Sequence, residues 1–438
     1  MNLFWKQLFG VITPTAKLEK QEADLLQAMH RYAEVEKSVE LAEYKKLFHI
    51  VKSAEFQENK KILQNRKYKD TEEFQTSKKY KKLHTSPAIN LYFHVLHSEE
   101  LKQYLDFKAT PEYELLGDKK KVKASEHLRR MKAYEKSKAF KTYSRFHNSF
   151  IIKDYEELKA RISSPDFKKS NEFWANEKRW HNTPEFAQQE RFYELAKNPD
   201  ILFYENENPK RFADYNTRKL TFHDDFKWNT LDKSHWNFGF HYRSGQLIGD
   251  HSFANEKQAN NSGKNMSVVD GILKLETKRE KVKSRAWHAE KGFIEKEFHY
   301  TADVLQTADK FRQKYGVFSA KLRSTGNLNH AFWLGSDDKL PNIKLFHYDG
   351  KKINIGNANK NLFDGIKISG IKPHQYFIYS LIWNEKELIW KINNLEVYRT
   401  ASNVPVESMY LAFNSFITEK QRGTTGSLEV DWVRVYEI

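Results

Sequence analysis

Ile272-Leu273-Lys274-Leu275-Glu276 and, further on, Phe377-Ile378-Tyr379-Ser380-Leu381-Ile382-Trp383 decide the architecture of the second half of the chain. Both are short runs with a period of two. A strand sends successive side chains to opposite faces, so this period suits a sheet that buries one face. Glycine and other turn residues recur roughly every ten positions from Phe222 to the C-terminus, which argues an antiparallel sandwich.

Upstream the grammar is different. Residues 17–205 are rich in Lys and Glu and almost free of glycine, and their aromatics recur at helical spacing. A signature returns: a capping residue, often proline, an acid, then a large apolar side chain. Thr110-Pro111-Glu112-Tyr113, Ser164-Pro165-Asp166-Phe167, Thr183-Pro184-Glu185-Phe186 and Asn198-Pro199-Asp200-Ile201 are the clearest copies, with a looser one at Ser137. The capping oxygen accepts an early backbone N–H, proline at the first helical position gives up a donor that had no partner, and the acid faces the positive end of the helix dipole. The spacing predicts short helices starting near Thr110, Ser137, Ser164 and Thr183, too short to stand alone and stabilised by their neighbours. The expected layout is an apolar N-terminal segment (1–16), a helical repeat-like scaffold (17–205), a linker (206–221) and a β-jelly-roll (222–438). The helical half has no catalytic spacing and is expected to dock a protein partner.

The chain has 438 residues, a net charge of +16 and no cysteine. Disulfide frameworks, thiol nucleophiles and Cys-ligated zinc are therefore excluded. The basic excess is spread over both halves without a tail, which argues against specific nucleic-acid binding. No run approaches the roughly 20 apolar residues of a membrane span. Leu3, Phe4, Trp5, Leu8, Phe9, Val11 and Ile12 enclose Lys6 and precede Pro14, whereas a secretory leader places its basic residues first and a small-residue cleavage site last. A docking or core segment is expected there. No leader is recognised, so synthesis in the cytoplasm is expected, with incorporation into a virion or other assembly as one destination.

Residues 222–438 resemble glycoside hydrolase family 16, the laminarinase-like β-glucanases with a concanavalin A-like jelly roll. The resemblance rests on Phe222-His223-Asp224-Asp225-Phe226, Asp270-Gly271-Ile272-Leu273, Lys314-Tyr315-Gly316-Val317-Phe318, Ala331-Phe332-Trp333-Leu334, the Tyr376–Asn394 hairpin and Val430-Asp431-Trp432-Val433-Arg434-Val435-Tyr436. It implies a retaining mechanism on a strand reading Glu-x-Asp-x-x-Glu, or Glu-x-Asp-x-Glu without a bulge. That chemistry places two carboxyl groups about 5–5.5 Å apart. The matching stretch here is Pro341-Asn342-Ile343-Lys344-Leu345-Phe346-His347-Tyr348. Asn342, Lys344 and His347 stand at the three positions in the bulged register, and Phe346 takes the last place in the unbulged one. Asp337, Asp338 and Asp349 are expected in the turns bounding the strand.

From these positions the expectation is a chain that is not an enzyme. It would be a glycan-binding or adhesive protein whose polysaccharide lies in the sandwich cleft, lined by Trp333, Trp287, His288, Asn329, His330, Phe346, His347 and Tyr348. The alternatives are a structural component of a large assembly such as a virion, and a glycoside hydrolase with relocated catalytic residues. The resemblance also implies a structural calcium at Asp225, Gly271 and Asp431, since hard oxygen ligands suit that ion.

Overall fold

A computed structural model describes residues 12–241, 251–338, 340–359, 362–421 and 425–438. Most of the apolar N-terminal segment therefore lies outside the described residues. The chain forms two compact units. One gathers the residues up to Tyr32 with Asn208–Ile438, and the other is Ala33–Glu207.

The second unit is helical throughout. Ser137, Ser164 and Thr183 each accept the backbone N–H three residues on and start the helices Lys138–Phe146, Pro165–Ala175 and Pro184–Leu195. Thr110 departs from the expectation. It opens a 3-10 stretch, Pro111–Gly117, and its hydroxyl donates to the Phe107 carbonyl instead of capping. That stretch has room for little more, because Asp118 already caps the next helix, Lys119–Ala124. The helices bury aromatic seams, such as Tyr44 stacked on Phe192 and Tyr92 on Tyr143. Thr183 is the most enclosed of the three caps, donating to the Trp180 carbonyl at 2.7 Å and accepting from Phe186 N–H at 3.1 Å. Thr183→Ala is expected to cost about 1 kcal/mol, read as a lower denaturation midpoint; Thr110→Ala should cost less, since no helix start depends on it.

The first unit is a jelly-roll sandwich of an eleven-stranded and a seven-stranded sheet among the described residues. Trp236, Phe318, Phe332, Phe346, Tyr379, Trp383, Trp390 and Phe413 fill the space between them. The strand Gly316–Thr325 pairs with Phe377–Trp383 on one side and with Gly426–Glu437 on the other, so three of the motifs read from the sequence lie side by side at the centre of the larger sheet.

The start of the chain belongs with this sandwich, which differs from the layout expected. Ile12 is buried in the sandwich core. Thr15, at the head of the helix Thr15–Glu36, donates to the Tyr376 carbonyl at 2.7 Å. Glu19 on that helix accepts from Lys321 at 2.9 Å and from the Trp432 indole at 3.1 Å. The helix has the Lys/Glu composition of its neighbours, so its partners become visible only when the sheet's outward side chains are in place. The expected linker is likewise structured: Pro209–Phe212 and Ala213–Asn216 are short helices, and the strand Lys219–Asp224 has already begun.

Candidate functional site

The seven-stranded sheet runs in the order Leu362–Ile368, Ile353–Asn359, Asn342–Asp349, Asn329–Gly335, Tyr410–Phe416, Val304–Gln306, Asn237–Phe238. Its inner face is apolar core. Its other face is fixed by the pairing register, because residues directly opposite in an antiparallel pair share a face. One row reads Ala412, Trp333, Lys344, Gly356, Gly365. The row on one side reads Tyr410, Gly335, Asn342, Ala358, Phe363, and the row on the other reads Asn414, Ala331, His347, Asn354, Lys367.

A bulge sets this arrangement. The pairing shifts between Lys344 and His347, so Leu345 and Phe346 both turn inward and His347 returns to the outer face. Phe346 is wholly buried against Tyr379, with ring centres 4.8 Å apart. The bulged register therefore holds, and Phe346 packs the core instead of lining the cleft. Two further expected contacts are corrected for the same reason. His330 is fully buried between Ser415 and the Thr325 carbonyl, and burial brings its imidazole down to about 4. Tyr348 sits in the core with its hydroxyl on the Gly350 carbonyl.

Trp287 and His288 are not brought to the rows. They end the strand Ile272–His288 of the other sheet, where Trp287 packs on Phe293 at 5.1 Å and His288 Nδ1 accepts the Glu290 and Lys291 N–H groups of a turn.

His347, Asn329 and Trp333 do come together on the Asn342–Asp349 and Asn329–Gly335 strands. His347 Nε2 lies 3.0 Å from Asn329 Oδ1, and Asn329 donates from Nδ2 to Gln421 Oε1. An amide oxygen only accepts, so His347 carries its proton on Nε2 and leaves Nδ1 as an acceptor. Burial and the nearby Lys344 ammonium bring His347 down to about 4, so it is neutral at pH 7. Burial also lowers the Lys344 amine below the usual range. Asn342 Oδ1 is buried without a hydrogen-bond partner among the described residues.

Around Trp333 lies a cluster that the sequence reading missed. Trp333 donates to Asn414 Oδ1 at 3.0 Å and packs edge-on against Tyr410 at 5.8 Å. The Tyr410 ring also meets His241 at 5.5 Å and the Arg312 guanidinium at 5.4 Å. Asp337, in the turn after Trp333, pairs with both: His241 Nε2 is 3.0 Å from its Oδ1, and Arg312 donates to the same oxygen. Burial alone would raise the Asp337 carboxyl, but the hydrogen bonds from Arg312 and His241 outweigh it and hold the group below its usual value. Asp309 lies 3.7 Å from the other imidazole nitrogen. Asp349, by contrast, is spent on its turn, accepting hydrogen bonds from the Lys351 and Lys352 N–H groups and from the Asn354 side-chain amide. Asp338 is in the turn beyond Asp337, where its carbonyl accepts from Ser336. His241 and Arg312 come from distant loops, so spacing gave no signal for them; Asn414 and Tyr410 share the strand that flanks Trp333.

The residues expected to hold calcium do not fit it. Asp225 faces Arg434 at 3.3 Å and Lys227 at 3.4 Å, and Asp431 faces Lys321 at 2.6 Å, so both carboxylates already have cationic partners. Gly271 forms a turn with φ of 76°. Among the described residues no cluster of three or more acidic or histidine side chains is placed to hold a metal ion, and no helix is long and apolar enough to cross a membrane.

No family model matches the chain. A curated relative, the glucan endo-1,3-β-glucosidase A1 of Niallia circulans, is 24% identical over 269 residues, covering 50% of this chain and 38% of the relative. The chain thus spans well under half the length of that relative. Similar solved structures include the laminarinase catalytic domain of Thermotoga maritima, at 17% identity over 50% of this chain and 98% of that one, with a TM-score of 0.41. The endo-β-1,3-glucanase of Pyrococcus furiosus is 16% identical over 50% and 94%, with a TM-score of 0.41. A LamA variant of Zobellia galactanivorans in complex with laminaritriose and laminaritetraose is 19% identical over 50% and 99%, with a TM-score of 0.39. The likeness to family 16 laminarinases falls on the C-terminal half and leaves the helical half unmatched. The expectation of a chain that is not an enzyme is corrected by the curated match, since the matched relative is an endo-glucosidase.

Proposed function

We propose that the sandwich unit binds β-1,3-linked glucan across the rows of its seven-stranded sheet and hydrolyses it, with Asp337 as the ionised carboxylate. The geometry around Tyr410 carries this reading: one ring joins the half-buried Trp333, a flat apolar surface for a sugar, to the Arg312–Asp337–His241 cluster. Glycoside hydrolysis needs a carboxylate that stays ionised beside a bound sugar and a second group that supplies a proton. Arg312 and His241 keep Asp337 ionised. Asp309, across the His241 imidazole from Asp337, is the other carboxyl group of the cluster. The kinship with an endo-1,3-β-glucosidase supports the choice of linkage.

The test is release of reducing ends from laminarin by the full chain, with laminarihexaose affinity measured by calorimetry alongside. Release together with binding supports the reading. Binding without release would sink the hydrolase part, and absence of both would sink the whole. Trp333→Ala is expected to weaken laminarihexaose binding by roughly tenfold, in the range of a lost aromatic contact.

A further inference from the structure

The same face carries a charge that the glucan reading does not use. Several half-buried cations of the sandwich unit face carboxylates, Lys321 meeting Glu19 and Asp431, Arg312 meeting Asp337 and Arg434 meeting Asp225, while Lys257 and Lys296 donate to backbone carbonyls. Lys344, in the middle of the central row, has no carboxylate partner among the described residues. Its ammonium instead lies 5.2 Å from the centre of the Phe363 ring. Its neighbours on the strand give it no negative charge, since Asn342 is an amide and His347 is neutral. An ammonium withdrawn from water without a counter-ion is costly unless something else supplies one.

Phe363 is the second unusual feature. It is 53% exposed, yet the sheet beneath holds it. A Cβ at Gly365 would come within 2.6 Å of the Phe363 ring, and one at Gly356 within 2.9 Å. The tip of the ring therefore reaches over two facing glycines, Gly356 being the residue opposite Lys344 and Gly365 the next across. Any larger residue at either glycine would lift the ring. Trp333 repeats the device on the other side of Lys344, since a Cβ at Gly335 would come within 2.5 Å of its ring. Two glycine-backed aromatic side chains thus flank a cation that has no carboxylate partner among the described residues, on one continuous face.

We propose that Lys344 and Phe363 form a subsite for a sugar bearing an anionic substituent, a carboxylate or a sulfate ester. The sugar ring would lie on Phe363, and the anion would take the Lys344 ammonium as a charge-assisted hydrogen-bond donor. The proposal rests on the reading of this face as a saccharide cleft and adds the charge of the ligand to it.

The experiment measures the affinity of the full chain for three ligands on one backbone: laminarihexaose, a sulfated laminarihexaose, and one oxidised to the uronate. At low salt the two charged ligands, or one of them, should bind roughly tenfold more tightly than the neutral one, with the gain falling as salt rises. Which charged ligand gains separates sulfate from carboxylate. Lys344→Met should erase the difference between charged and neutral ligands, Lys344→Arg should keep most of it, and Phe363→Ala should weaken the charged ligands. Equal affinity for all three would overturn the subsite and leave the glucan reading standing. Binding of a charged ligand but not the neutral one would keep the subsite and overturn neutral glucan as the substrate. Binding of none would overturn both, and a charge preference that survives Lys344→Met would remove Lys344 from the account.

Discussion

Asp337→Asn is expected to lower release of reducing ends from laminarin by roughly 10²–10⁴-fold, the range for removing a positioned acid–base group, while laminarihexaose affinity changes little in comparison. The amide keeps the size of the carboxyl group, and its oxygen can still accept from Arg312 and His241, which both reach Oδ1 in the native chain. What disappears is the negative charge. A structural role for Asp337 would show as a lower melting temperature with the remaining rate scaled to the folded fraction; a chemical role shows as a lower kcat at unchanged stability. Asp349→Asn makes the contrast. Its carboxylate ties the turn through Lys351 and Lys352 N–H groups, so that variant should lose stability and keep its rate per folded molecule. If Asp337→Asn retains its rate and Asp349→Asn loses it, the ionised group has been misplaced.

The sandwich was legible because its signal is local and repeated. Ile272–Glu276 and Phe377–Trp383 carry a period of two, and both are strands of the larger sheet. The outer-face positions Asn342, Lys344 and His347 were legible too, as one of two registers. What chose between the registers was the bulge after Lys344, which depends on the partners Gly356 and Trp333 and leaves no mark in the strand's own residues. Phe346 shows the consequence, since an aromatic on a cleft strand reads the same whether it faces sugar or core. The cluster around Tyr410 was out of reach for another reason. Asp337 was noticed only as a turn residue, and its meaning comes from His241 and Arg312, which approach from separate loops. The helix caps at Ser137, Ser164 and Thr183 needed no such information, because a cap is completed within four residues. The helix from Thr15 needed all of it: its starting signals resemble those of the scaffold, but Lys321, Tyr376 and Trp432 bind it to the sandwich.

Acidification from pH 7 to about 4.5 is expected to destabilise the sandwich unit by about 3 kcal/mol, an order-of-magnitude figure set by three groups. His330 and His347 are brought down to about 4 from an ordinary 6.5. Between those values the unfolded chain binds protons that the folded chain refuses, so stability is complete above 6.5 and is lost as pH falls toward 4. Each such gap corresponds to about 3 kcal/mol when fully expressed. Glu256 works in the opposite direction. Burial raises its carboxyl to about 7, against a lowering by Gln258 and Lys296. The folded chain therefore holds a proton there that the unfolded chain releases above 4.5, and stability from this group falls as pH rises from 4.5 to 7. Two losses and one partly offsetting gain leave a net loss on acidification. The carboxylates held below their usual range, Asp337 and Asp349 among them, add theirs only at lower pH, below about 4. Urea midpoints at pH 7, 5.5 and 4.5 measure the slope, and Glu256→Gln isolates the sign. Without the rising group the variant should be more stable than the native chain at pH 7 and should lose stability more steeply toward pH 4.5. A flat profile from 7 to 4.5 in the native chain, left flat by Glu256→Gln, would mean that His330 titrates as a solvated imidazole, which its enclosure between Ser415 and Thr325 does not allow.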